Sequence, residues 1–207
     1  MIDLFSSGGW FMWPLLVCSI CVVSIAIERF WMLQERLVAP QGLSRQIHNL
    51  IDRDILDDYQ ERVFSELSSL GSLLITAYQF RDSPRQILES KLEEKSVEIK
   101  FQLERNLSML GVISSVAPLL GLLGTVVGMI SVFASYQMDP ANTSDFLASG
   151  ISQALITTAF GLMIAVPGII LHRHFELKVN KLLILLQAKT SQSVSYTHLT
   201  LPTNREV

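Results

Sequence analysis

Three threonines and one glutamine are the residues in this sequence best placed to do chemistry, because of where they lie. Thr125 falls in the run 114–132, SSVAPLLGLLGTVVGMISV, and Gln153, Thr157 and Thr158 fall in 149–168, SGISQALITTAFGLMIAVPG. Neither run contains a charged residue or a histidine. Hydroxyl and amide groups in such surroundings can hydrogen-bond water or a carboxylate, but they hold no charge near neutral pH. A proton relay through lipid depth needs an ionisable group, which is expensive there and is kept for that purpose. The titrating group is therefore expected on another chain, with Thr125, Thr157, Thr158 and Gln153 solvating it. The competing reading is that the threonine hydroxyls satisfy carbonyls of their own helices and that the small residues around them only pack.

The other reactive residues read less sharply. Cys18 and Cys21 have the spacing of a redox or metal pair, but a helix in lipid offers neither accessible thiolates nor further ligands, so they read as small apolar filler. His172-Arg173-His174 could hold a metal or relay a proton, yet the plainer reading is an interfacial charge cluster. Glu28 and Arg29 read as a snorkelling interfacial pair and not as a gate. No nucleophile, metal-ligand cluster or phosphate loop is recognisable, and glycines inside an apolar helix lie where no phosphate reaches. No enzyme, cofactor or metal is expected. A net charge of −3 without a basic patch interleaved with aromatics gives no sign of nucleic acid.

The elements that must position the threonines are membrane helices. A spanning helix needs about 20 mostly apolar residues, and three segments qualify: 11–27, 107–135 and 146–171. Each of the last two carries a stripe of small or hydroxyl residues over about a third of its circumference at ~100° per residue. Ser114, Ala117, Gly121, Gly124, Thr125, Gly128 and Ser135 form the first stripe; Gly150, Ala154, Thr157, Thr158, Gly161, Ala165 and Gly168 form the second. Gly121, Gly124, Gly128, Gly150, Ala154, Gly161 and Ala165 are the candidate packing or pore face. Pro118 and Pro167 each interrupt one span, which a membrane helix tolerates when its neighbours satisfy the freed carbonyl.

Charge distribution sets the topology. All 16 Lys and Arg lie in Arg29–Arg105 or Arg173–Arg205. The positive-inside rule then puts the N-terminus and the 136–145 loop outside, with the long middle segment and the C-terminus in the cytoplasm. Trp10, Trp13, Phe30 and Trp31 match aromatic belts at the two ends of the first span, and residues 1–9 lack the positive n-region of a cleaved signal peptide.

The expected fold is all-α: an integral membrane protein of three transmembrane helices with long cytoplasmic helical extensions. In order these are a periplasmic N-terminus (1–10), the first membrane helix (11–30), a cytoplasmic helical domain (31–106), the second (107–135), a periplasmic loop (136–148), the third (149–172) and a cytoplasmic C-terminal helix (173–193). Within the cytoplasmic segment, short helices are expected over 52–66 and 65–80. A helix starting at Ser83-Pro84, as N-cap and first residue, should continue unbroken into the second span. Its Lys91/Glu94, Lys95/Glu98 and Lys100/Glu104 pairs give it a solvated face. From Val194 the tail VSYTHLTLPTNREV abandons the helical pattern. Residues 194–207 resemble a translated sequencing adapter and are set aside, with the natural C-terminus expected beyond them.

APLLGLLGTVVGMI (117–130) and GISQALITTAFGLMIAVPG (150–168), preceded by WPLLVCSICVVSIAIERF (13–30), together resemble the MotA/TolQ/ExbB proton-channel family, most strongly its ExbB-like branch. The resemblance covers the chain to about Ser193. It implies a multi-pass protein of the bacterial inner membrane and a homo-oligomeric ring, typically a pentamer, around the membrane helices of an ExbD/TolR-like single-span partner carrying an Asp. A TonB-like protein would complete such an assembly, in which the proton motive force drives transport or envelope work. The family's pore threonines map onto Thr125 and Thr158. Where the ExbB and TolQ pattern often has a glutamate in the third span, this chain has Gln153. The alternative function is a non-conducting oligomeric membrane scaffold for partner proteins.

Overall fold

The computed structural model describes residues 9–52, 57–138 and 143–199, and every regular element among them is a helix. In chain order these are α1 (Met12–Met32), α2 (Glu35–Val38), α3 (Leu43–Asp52), α4 (Asp58–Leu67), α5 (Ser69–Gln79), α6 (Arg85–Glu104), α7 (Leu107–Met138) and α8 (Thr143–Leu199). Two compact units divide the chain: Met1–Arg29 with Asn106–Phe175, and Phe30–Arg105 with Glu176–Val207. Residues 1–8 of the N-terminal segment, 139–142 of the expected outer loop and 200–207 of the tail lie outside the described residues.

Among the described residues, three helices are long and apolar enough to cross a membrane: Met12–Met32, Leu107–Ala134 and Leu147–Ser193. Large apolar side chains such as Leu119, Ile130 and Phe133 on α7, and Leu155, Met163 and Ile170 on α8, are exposed. Apolar surface on this scale has no place in water and fits a hydrocarbon surround. Pro118 lies inside α7 and Pro167 inside α8, each withholding the N–H that the carbonyl four residues earlier would accept.

The second unit is built around α5, which packs against α3, α4 and α6. Ser68 caps it, its Oγ accepting from the Gly71 N–H at 3.1 Å. Leu70, Leu73, Leu74, Ile75 and Ala77 are buried, and each buried Leu or Ile contributes about 1.5–3 kcal/mol. On α6 the expected pairs form, Lys91–Glu94 at 2.8 Å, Lys95–Glu98 at 2.7 Å and Lys100–Glu104 at 3.9 Å.

Several expectations need correction. The helix entering the second span is not continuous: α6 ends at Glu104 and α7 begins at Leu107, with a turn at Arg105–Asn106. Arg105 keeps helical dihedrals (φ −44°, ψ −50°), so the interruption is local. Pro84, at φ −51° and ψ 141°, takes the cap position expected of Ser83, and Arg85 is the first helical residue. Helices expected over 52–66 and 65–80 are Asp58–Leu67 and Ser69–Gln79, with residues 53–56 outside the described set. The backbone of α8 runs as helix to Leu199, beyond the change of pattern at Val194. No Gly or Pro stands between Val194 and Leu199 to stop it.

Candidate functional site

The two small-residue stripes face each other. Their contacts run antiparallel, from Ser114 against Gly168 at one end to Val132 against Gly150 at the other. Between these, Gly161 lies on Ala117 and Gly121, Gly121 on Thr157 and Thr158, Gly124 on Thr157, and Gly128 on Gly150 and Ala154. The approach is backbone to backbone. A methyl group added at Gly161 would come 2.7 Å from the Ala117 carbonyl oxygen, and one at Gly121 would come 3.0 Å from the Thr157 carbonyl oxygen. In lipid, where burying apolar surface drives little, such close van der Waals packing is what holds helices together. Ala154, Ala165 and the six stripe glycines from Gly121 to Gly168 are buried on this seam's two helices.

The four polar candidates are not equivalent. Thr157 is 1% exposed and packs into the hollow at Gly124, while its Oγ1 donates to the Ala154 carbonyl at 2.9 Å. Thr158, half-buried, donates across the seam to the Gly121 carbonyl at 3.3 Å. Thr125 is half-buried, and its Oγ1 donates to the Leu122 carbonyl of its own helix at 2.7 Å. Gln153 is half-buried, and its amide lies against the backbone of Gly9. The structure thus brings Thr157, Thr158 and the central glycines together, sets Thr125 one residue beyond Gly124, and takes Gln153 to the start of the described chain. The side chain of Ser135 lies outside the described set.

Two contacts escaped the sequence reading, and one residue of an expected pair is buried instead of snorkelling. Gly9 has φ +68°, a conformation that favours glycine, and any side chain there would collide with the Gln153 amide. Asn106 Nδ2 donates to both carboxylate oxygens of Glu28, at 2.9 and 2.8 Å, and so ties the start of α7 to the end of α1. Arg29, expected to snorkel, is 2% exposed, and its Nη2 donates to Glu28 Oε1 at 3.0 Å. The first two had a signal that went unused: a Gly-Gly pair just before a span, and a lone Asn where a charged run meets one. His172 packs over Gly111, where a methyl group would come 2.9 Å from its Nε2. Among the described residues, no group of three His, Cys, Asp or Glu is arranged to hold a metal.

The model of the MotA/TolQ/ExbB proton channel family matches residues 49–188, which include both stripes of the seam. The chain belongs to this family. An ExbB-like biopolymer transport protein of Synechocystis is 30% identical over 199 residues, covering 95% of this chain and 74% of that protein. The biopolymer transport protein exbB1 of Vibrio cholerae is 32% identical over 168 residues, 78% of this chain and 72% of that one. The Tol-Pal system protein TolQ of Haemophilus influenzae is 27% identical over 156 residues; the chain spans 64% of its length. The protein is thus an all-helical, multi-pass membrane protein of the proton-channel type, in a family of transport-associated channel subunits.

Proposed function

We propose that this protein forms the wall of a proton pathway in an inner-membrane complex that couples the proton motive force to transport or envelope work. In this reading the N-terminus (1–10) and the 136–148 loop face the periplasm. The 31–106 helical domain and the 173–193 helix face the cytoplasm, and residues 194–207 are not native. The chain assembles as a homo-oligomer, in a ring of five by family resemblance, around an ExbD/TolR-like partner helix bearing the aspartate that takes up and releases the proton. A TonB-like protein receives the work.

The observation that carries the reading is the Thr158 hydroxyl, which lies half-buried at the seam with the Gly121 carbonyl as its acceptor. A hydroxyl with one acceptor still has lone pairs for water or an approaching acid. Thr125, one residue from the seam, offers the same chemistry, whereas Thr157 is enclosed by packing and acts as structure.

The seam also favours the second reading, a non-conducting scaffold, because the glycines are spent on helix contact. Proton flux into vesicles separates the two. The chain with its partner should conduct, and Thr158→Val, nearly isosteric but without the hydroxyl, should slow the flux by about tenfold, the effect of losing one hydrogen bond of about 1–1.5 kcal/mol to the moving proton's path. Unchanged partner-dependent flux removes Thr158 from the pathway, and absence of any flux leaves the scaffold.

A further inference from the structure

The second unit carries a pocket where α1 leaves its apolar span, with a volume of about 360 Å³, lined by Gln34, Glu35, Arg36, Ala39, Gln41 and Lys178. We propose that it binds the phosphodiester headgroup of an anionic membrane phospholipid.

The lining has the right chemistry for one phosphodiester. Arg36 and Lys178 bring two cations, Glu35 brings one carboxylate, and the surplus of one positive charge matches the single charge of a phosphodiester. The side-chain amides of Gln34 and Gln41 add neutral donors, and Glu35 can accept from a headgroup hydroxyl. The pocket also has a fixed frame. Ala39 N–H donates to the Glu35 carbonyl at 2.8 Å, Leu37 N–H to the Gln34 carbonyl at 3.0 Å, and Lys189 Nζ to the Ala39 carbonyl at 3.4 Å. Among its lining residues Ala39 is buried, and so are Leu33 and Val38, which adjoin the lining residues in the chain.

What marks the ligand as a lipid and not a free anion is the border of the pocket. Phe30, Trp31 and Met32 complete a helix that is apolar enough to span a membrane, and they are 58, 69 and 52% exposed. An exposed tryptophan at the end of such a span belongs at headgroup level. Lys178 Nζ stands 5.4 Å from the centroid of the Phe30 ring, so one of the pocket's cations is held at the edge of that apolar surface. Phosphate in the pocket and acyl chains along Phe30 and Trp31 would satisfy both surfaces at once. The proposal rests on the membrane location alone and stands or falls independently of proton conduction.

The test uses the intact assembly, purified in mild detergent and weighed by native mass spectrometry after exposure to equal amounts of phosphatidylglycerol and phosphatidylcholine. Phosphatidylglycerol should be retained preferentially. The double variant Arg36→Gln/Lys178→Gln should lose about tenfold or more of that preference, since each interfacial cation contributes about 1 kcal/mol toward anionic lipid. Glu35→Gln removes the opposing charge and should strengthen retention, a gain that a misfolded protein would not show. Indifference to headgroup in the wild type, an unaltered preference in the double variant, weaker retention in Glu35→Gln, or displacement of the lipid by inorganic phosphate would each overturn the proposal.

Discussion

At Gly161 a methyl group would come 2.7 Å from a backbone oxygen, and backbone cannot rotate out of the way. Gly161→Ala therefore has to push α7 and α8 apart. It should destabilise the protein by about 1–3 kcal/mol, the usual range for overpacking. Gly128 is a contrast on the same seam, because its nearest neighbours would lie at 3.2 and 3.4 Å. There a shift of a few tenths of an ångström suffices, and alanine's better helix preference offsets about 0.5–1 kcal/mol. Denaturation midpoints in mixed micelles should thus fall clearly for Gly161→Ala and little for Gly128→Ala; equal losses would show that the close approach at Gly161 does not govern packing. Which residues share a face was legible from a period of 3.6. How the adjacent Thr157 and Thr158 divide between burial and bridging was not, because the partner helix decides it. Gln153 shows the same limit: its spacing put it with the threonines, while a left-handed glycine 144 positions earlier receives its amide.

Among the elements, α6 and the start of α7 make two separate predictions. The Lys91 ammonium, hydrogen-bonded to Glu94, holds that carboxyl below the usual carboxylate range. A lowered carboxylate value means that the pair's contribution is present at neutral pH and is lost as pH falls through that value. The group is solvent-exposed, so the effect is small. Lys91→Gln should raise the Glu94 midpoint in a carboxyl NMR titration, and its slight stability deficit should vanish on acidification. The second prediction concerns the turn at Arg105–Asn106. Asn106→Ala removes the amide that donates to both oxygens of the Glu28 carboxylate, leaving it the Arg29 guanidinium, and should cost about 1.5–3 kcal/mol, as for hydrogen bonds to charged groups. A midpoint unmoved by that change would mean water replaces the amide without loss. Helix type and rough extent were readable for the three spans and for α4, α5 and α6, because apolar spans and charge pairs three or four apart are local signals; α2, α3 and the helical run past Val194 were not. This turn was not, since neither Gly nor Pro announces it and its side chain is engaged by a residue 78 positions away.

For the whole molecule, the distribution of ionisable groups decides what the chain can do alone. The two seam runs, 114–132 and 149–168, offer hydroxyls and one amide but no acid or base. Protons crossing that depth need a group that binds and releases them. The protein reconstituted without a partner should therefore show no flux above lipid background under an imposed pH gradient. Adding a single-span partner should open the pathway, and changing that partner's intramembrane Asp to Asn should close it again. Gln153→Glu sharpens the point by restoring the acid that ExbB-type sequences often carry in this span. The side chain at this position lies against Gly9, not beside the Thr158 hydroxyl, so a carboxylate there adds charge near one end of the seam and leaves the rest without a relay. It should not confer conduction on the chain alone. Partner-free, proton-selective flux in either the wild type or Gln153→Glu would place the titrating chemistry within this chain and contradict the division of labour between its hydroxyls and a companion's acid.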